Sequence, residues 1–180
     1  MKESTQASQL LRFGIITAFA TLAFIGTTVI RIPIPATGGY FNLGDTFVMT
    51  AAVLYGPLVG LVVGAIGPAM ADAVGFPQFI LATAVVKGLE GLVVGTLAFS
   101  DRGKMARITL ALVAGVFILV SGYYIFEAVI YPFIAQWVPF FGVTDAKAAL
   151  AEIVPNLLQG LISAVVAFGI WKVFNRQQHD

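Results

Sequence analysis

Four ionisable side chains, Asp72, Lys87, Glu90 and Glu127, interrupt stretches that are otherwise almost wholly apolar, and Asn156 and Gln159 do the same as carboxamides. Burying such groups is costly unless each finds a partner, so they either pair with one another or meet a polar ligand. Asn156 and Gln159 are three residues apart and share one face of a helix. Tyr123, Tyr131 and Trp137 flank the set in sequence. An ammonium, a carboxylate and two amides beside aromatic walls suit a small hydroxylated aromatic or heteroaromatic molecule. The competing arrangement is internal: Lys87 pairs with Glu90, Asp72 or Glu127 and binds nothing. Asp72 and Glu90 read as structural, and both tyrosines are equally compatible with ordinary packing.

Other chemistries lack their residues. The chain has no cysteine, which removes disulfides, thiol nucleophiles and Cys-ligated metals. Its single histidine, His179, sits in a polar tail, so no metal site is expected. There is no Gly-x-x-x-x-Gly-Lys-Ser/Thr, no His-Glu-x-x-His and no Gly-x-Ser-x-Gly. No cofactor is implied and no enzyme is expected. An intramembrane aspartyl protease needs a second aspartate to match Asp72, and none fits. A formal net charge of +1 argues against nucleic acid.

The elements that position these groups are membrane helices. Of 180 residues, 59% are hydrophobic and 11% charged, against roughly 45–50% and 25% in soluble domains. Mean hydropathy is +0.95. So small a domain has no room to hide that apolar surface from water, so its solvent is the lipid bilayer. The expectation is an all-α integral membrane protein of the bacterial cell membrane. It forms one domain over 1–180 with six transmembrane helices, at about 10–30, 45–55, 57–74, 79–99, 108–134 and 150–174. The first apolar run exceeds a signal-peptide core and reads as an uncleaved helix. Pro33, Pro35, Gly38 and Gly39 break it. The second helix is too short to cross upright, so it is tilted, partial or shielded by protein. Asp45 stands where an N-cap stands. Helix five is curved or interrupted near Gly122, and Trp137 to Gly142 is interfacial.

Lys2, Arg12, Arg102, Lys104, Arg107, Lys172 and Arg176 fall on the side of the termini, whereas Arg31 and Lys147 fall on the other. The positive-inside rule therefore makes both termini cytoplasmic. With that orientation Lys87 lies about eight residues, ~12 Å, below the outer end of its helix. Glu127, Asn156 and Gln159 lie at similar depth. Glycines at 56, 60, 64 and 67 and at 88, 91 and 95 allow close backbone approach within the bundle or against another protein. Gly14-xxx-Ala18 and Ala23-xxx-Thr27 in helix one are the candidates for a docking face.

Three segments carry a family resemblance: Tyr40-Phe-Asn-Leu-Gly-Asp45, the run 51–67 with Tyr55-Gly-Pro57 followed by Ala71-Asp72, and Val86-Lys-Gly-Leu-Glu-Gly91. Together they resemble the substrate-binding S components of energy-coupling factor (ECF) vitamin transporters, over about residues 10–99. The resemblance implies an outward-facing pocket built by the first outward loop and helices four to six. It implies a membrane coupling subunit and two ATPase subunits as partners, with Gly14-xxx-Ala18 nearest the family's docking motif on helix one. It also implies a small vitamin ligand, of the pyridoxine or hydroxymethylpyrimidine type, with riboflavin and cobalamin as alternatives. Asn42 would reach the pocket or act as a gate. The substrate-binding set is then Asn42, Lys87, Tyr123, Glu127, Tyr131, Asn156 and Gln159. A stand-alone facilitator is the competing function.

Overall fold

The computed structural model describes residues 2–35, 37–100, 104–141 and 144–177, with the backbone alone for 2–5. Arg102, Gly142 and His179 lie outside the described residues. Helix α1 runs Lys2–Val29, α2 Asp45–Tyr55, α3 Pro57–Gly75, α4 Ile80–Phe99 and α5 Met105–Ile125. A π-helical turn, Phe126–Ile130, carries α5 into the short α6, Tyr131–Ala135. The last helix, α7, spans Ala146–Gln177. Five helical segments are long and apolar enough to cross a membrane, and α2 is a sixth, shorter one. Large apolar side chains face outward along them, Phe13, Val74, Phe117 and Val165 each about 70% exposed. That is the exterior expected of a helical bundle solvated by lipid.

Between α1 and α2 the break at the prolines and glycines folds into a small hairpin. Strand β1 (Ile32–Ile34) pairs antiparallel with β2 (Gly39–Phe41), Ile32 opposite Phe41 and Ile34 opposite Gly39. Gly38 turns the chain at φ +69°, a conformation that favours glycine. The sequence marked this stretch only as a loop, because strands of three residues carry too little pattern to register.

Helix α2 is shielded by protein. It buries eight of its eleven residues and packs against α1, α3, α4 and α7. Gly56, at φ +96°, lets the chain turn directly into Pro57 at the start of α3. The glycines at 60, 64, 88, 91 and 95 then serve internal packing. A side chain on Gly91 would run into the Gly60 backbone, one on Gly64 into the Lys87 carbonyl, and one on Gly95 into Pro57. Small residues here let α3 and α4 touch backbone to backbone.

Helix α5 stays regular through Gly122. The interruption comes at Phe126–Ile130 instead. Pro132 has no N–H to offer the preceding turn, and the wider π turn takes up that break. It also turns Glu127 inward, where it is buried.

The end of the bundle that holds the chain termini and the 104–107 segment has a close-packed apolar core. Met49 and Val53 of α2 meet Val94 and Ala98 of α4, Ile108 and Leu112 of α5 and Trp171 of α7 there. The opposite, hairpin end holds an aromatic cluster around Phe79, Phe126 and Tyr131. Between that cluster and the hairpin lies a cavity.

Candidate ligand-binding site

Asp45, just beneath this cavity, is the hub that holds the lining side chains Lys87 and Gln159. As the first residue of α2 it begins a helix in the interior of the bundle, so its carboxylate has no route to water and is fully buried. One oxygen accepts from the Lys87 ammonium in a buried ion pair, and the other accepts from Gln159 Nε2 at 2.6 Å. Gln159 Oε1 accepts the backbone N–H of Asn42 at 2.7 Å. Asn42 Oδ1 in turn accepts the N–H of Gly44 at 2.9 Å, an Asx turn that leads into α2. This chain of contacts ties α2, α4, α7 and the end of the hairpin together.

Two expectations are corrected here. Gly44, not Asp45, is the N-cap, and no side chain caps the helix. Lys87 pairs with Asp45, and not with Glu90, Asp72 or Glu127. Helix α2 stops short inside the bundle, and this brings its first residue to the depth of Lys87.

The hairpin closes the cavity from above through two further carboxylates. Glu152, on α7, accepts from the Thr37 hydroxyl and from Asn156 Nδ2 at 3.3 Å. A side chain on Gly39 would collide with the Glu152 carboxylate, so the hairpin needs a glycine where it crosses. Asp72, at the end of α3, accepts from the Tyr40 hydroxyl. Burial, reinforced by the Asp72 carboxylate, pushes the Tyr40 phenol above its ordinary pKa and keeps it a donor. The Tyr40 ring packs on Phe76 with centroids 4.4 Å apart, and the Arg31 guanidinium lies 5.1 Å from the Tyr40 centroid. Arg31 is itself fixed by the Ala71 carbonyl at 2.7 Å.

The cavity wall is completed by Thr83, whose hydroxyl lies 2.8 Å from that of Tyr123, and by Phe79. The Lys87 ammonium sits 5.4 Å from the Tyr123 ring centroid. Free space among the lining side chains is about 370 Å³, including the part open to solvent. The closed cavity itself is about 20 Å³, room for a water or two. Accepting a ring therefore requires the hairpin or side chains to move.

Of the anticipated residues, Asn42, Lys87, Tyr123, Glu127, Asn156 and Gln159 all line this cavity. Tyr131 does not. Its ring is fully buried behind the wall, against Phe79, Phe126 and Phe141, and its hydroxyl accepts the Ala82 N–H at 3.3 Å. Trp137 is 79% exposed and flanks nothing. Gly14 and Ala18 lie exposed on α1, and nothing comes within 4 Å of where a Gly14 side chain would start; Ala23 and Thr27 are buried inside the bundle and offer no docking face.

The sequence model of the family described as "ECF-type riboflavin transporter, S component" matches residues 4–176. The chain belongs to that family. This S component is also 34% identical over 153 residues to an uncharacterised protein from the gap 3′ region of Pyrococcus woesei, covering 85% of the chain and 94% of that protein. Its fold matches the solved S component of a bacterial ECF transporter with a TM-score of 0.68, at 15% identity, over 96% of this chain and 99% of that one. It is thus a multi-pass membrane protein and a substrate-binding subunit of an ECF-type transporter. The family is one of transporter components.

Three contributors to the S component's site escaped the site reading, one beneath the cavity and two on its wall. Asp45 looked like a cap. Glu152 looked like part of a polar approach, although α7 begins at Ala146 and places it on the face of Asn156 and Gln159. That signal was available, because residues at i, i+4 and i+7 share one helix face. Asp72 was read as structural, and it both anchors Tyr40 and lines the cavity.

Proposed function

We propose that this chain, acting as one substrate-binding domain, captures a small hydroxylated heteroaromatic vitamin, pyridoxine or hydroxymethylpyrimidine by preference. It passes that cargo inward with a membrane coupling subunit and two ATPase subunits. The observation that carries the reading is the cavity under the hairpin, lined by amides, carboxylates, an ammonium and the aromatic Phe79 and Tyr123. Such a mixture recognises a flat ring through its faces and its hydroxymethyl groups through hydrogen bonds. The closed cavity holds no ring at all, and a single ring asks for a smaller opening of the hairpin than a larger ligand does.

Riboflavin is the second reading, favoured by the description of the matching family. It asks for a larger opening of the hairpin. Gly14 and Ala18 on the exposed face of α1 are our candidates for contact with the coupling subunit, since small residues let another helix approach closely.

The test is native mass spectrometry of the detergent-purified chain for co-purified small molecules, then titration with pyridoxine, hydroxymethylpyrimidine, riboflavin and cobalamin. Saturable binding of a single-ring vitamin at one per chain is the expected result. Saturation by riboflavin alone transfers the assignment to the second reading. ATP-independent flux in liposomes, with no stoichiometric binding, would replace capture by facilitation.

A further inference from the structure

Acidic side chains outnumber basic ones around the cavity. Its lining includes Asp72, Lys87, Glu127 and Glu152. The one ammonium is already taken by Asp45, outside that lining. Three carboxyl groups therefore face the same space with no ion pair of their own among the described residues. Two have hydrogen-bond donors: Asp72 has Tyr40, and Glu152 has Thr37 and Asn156. Glu127 differs. It is 1% exposed, and its Oε2 has no hydrogen-bond partner among the described residues. Its backbone is held by Thr144, whose hydroxyl donates to the Glu127 carbonyl at 2.9 Å. The side chain is thus aimed into the cavity by a fixed π turn and left unsatisfied there.

A buried carboxyl oxygen without a donor is a rare and costly feature; Glu90 has two such oxygens but lies away from the cavity, whereas Glu127 lines it, where a ligand can supply the donor. Among the described residues no three acidic or histidine side chains come together as a metal site, so a metal ion is not indicated. An organic cation fits better. The Phe79 and Tyr123 rings offer faces to an aromatic or cationic group in the same space.

We infer that the ligand of this cavity carries an amino or ammonium group that docks on Glu127, with Glu152 lining the same space, while its ring meets Phe79 and Tyr123. This rests on the capture reading above and narrows it to donor-rich, cationic heteroaromatics. A hydroxymethyl group would satisfy one hydrogen bond of Glu127. An aminomethyl cation would satisfy that bond and hold Glu127 as its carboxylate, and charge-assisted bonds are about twice as strong as neutral ones.

The experiment compares matched ligands on the purified full-length chain at pH 7: 5-aminomethyl against 5-hydroxymethyl pyrimidine, and pyridoxamine against pyridoxine, with riboflavin alongside. The amine of each pair should bind roughly 10–100-fold more tightly. Glu127→Gln should collapse that ratio toward unity, and Glu152→Gln should reduce it by less. Thermal unfolding would show that the variants fold. If Glu127→Gln does not, the wild-type ratios still decide. Hydroxymethyl compounds binding as tightly as their amines would overturn the cation preference and leave capture intact. Binding of riboflavin alone would overturn the inference and keep the chain a capture subunit. No binding by any compound would sink both.

Discussion

At the end of the bundle that holds the termini, Met49, Val53, Val94, Leu112 and Trp171 interdigitate with no ionisable side chain among them. At the hairpin end the same helices present Asp45, Lys87 and Gln159 to one another, and the last two to a cavity. Helix α2 shows the contrast within eleven residues, an ion pair at its first position and close-packed aliphatics by its ninth. The apolar end tolerates nothing but shape, and its contacts are many and individually weak. The hairpin end depends on a few strong contacts that must all be satisfied together. A protein that has to open for a ligand gains from this division: the network can be exchanged for ligand contacts while the packed end keeps the helices in register.

The sharpest way to break the comparison is to orphan one charge. Asp45→Ala leaves the Lys87 ammonium buried without a partner and removes an acceptor from Gln159. The expected loss of stability is about 3–5 kcal/mol, read from chemical or thermal unfolding in detergent. Combining Asp45→Leu with Lys87→Met should recover most of it, because an apolar pair of similar volume replaces a buried ion pair at little cost. If the double variant is as unstable as Asp45→Ala, the pair is not what holds α2 against α4.

The packed end should respond differently. Leu112, only 3% exposed in that core, contributes shape alone. Leu112→Ala should cost about 2–3 kcal/mol through the cavity it leaves and leave ligand affinity within about twofold. A large loss of affinity at equal folded fraction would show that the two ends are coupled.

A smaller and opposite effect is expected at Asn156, which lines the cavity and donates only one long bond, to Glu152. Asn156→Ala should weaken ligand binding by about 3–10-fold while the unfolding midpoint barely moves. A shift in the midpoint with unchanged affinity would assign Asn156 to holding Glu152 in place.

The same division governs what could be read before the fold was known. Long apolar runs are local signals, so the membrane helices and their order were legible in the sequence. The fixed rise of a helix put Lys87, Glu127, Asn156 and Gln159 at one depth, and all four do line one cavity. Partners across helices were not legible. Lys87 finds Asp45, 42 residues away, because α2 ends inside the protein, a tertiary fact with no local mark. Rotation about a helix axis was equally hidden wherever the helix was irregular. The π turn at Phe126–Ile130 resets which faces point inward after it, and Tyr131, its next residue, ends behind the wall instead of on it.

Tyr131 and Tyr123 therefore make the finest test, since they looked alike in sequence and sit on the two sides of that wall. Tyr131→Phe removes only the acceptor for the Ala82 N–H, in the first turn of α4. It should cost about 0.5–1.5 kcal/mol of stability and change ligand affinity by less than about twofold. Tyr123→Phe removes the hydroxyl that faces Thr83 at the cavity surface, and its effect should fall on affinity. Titration and unfolding of both variants give four numbers. If Tyr131→Phe is the one that weakens binding, the ligand reaches past Phe79 into the aromatic cluster, and the cavity that opens for it is deeper than the closed one.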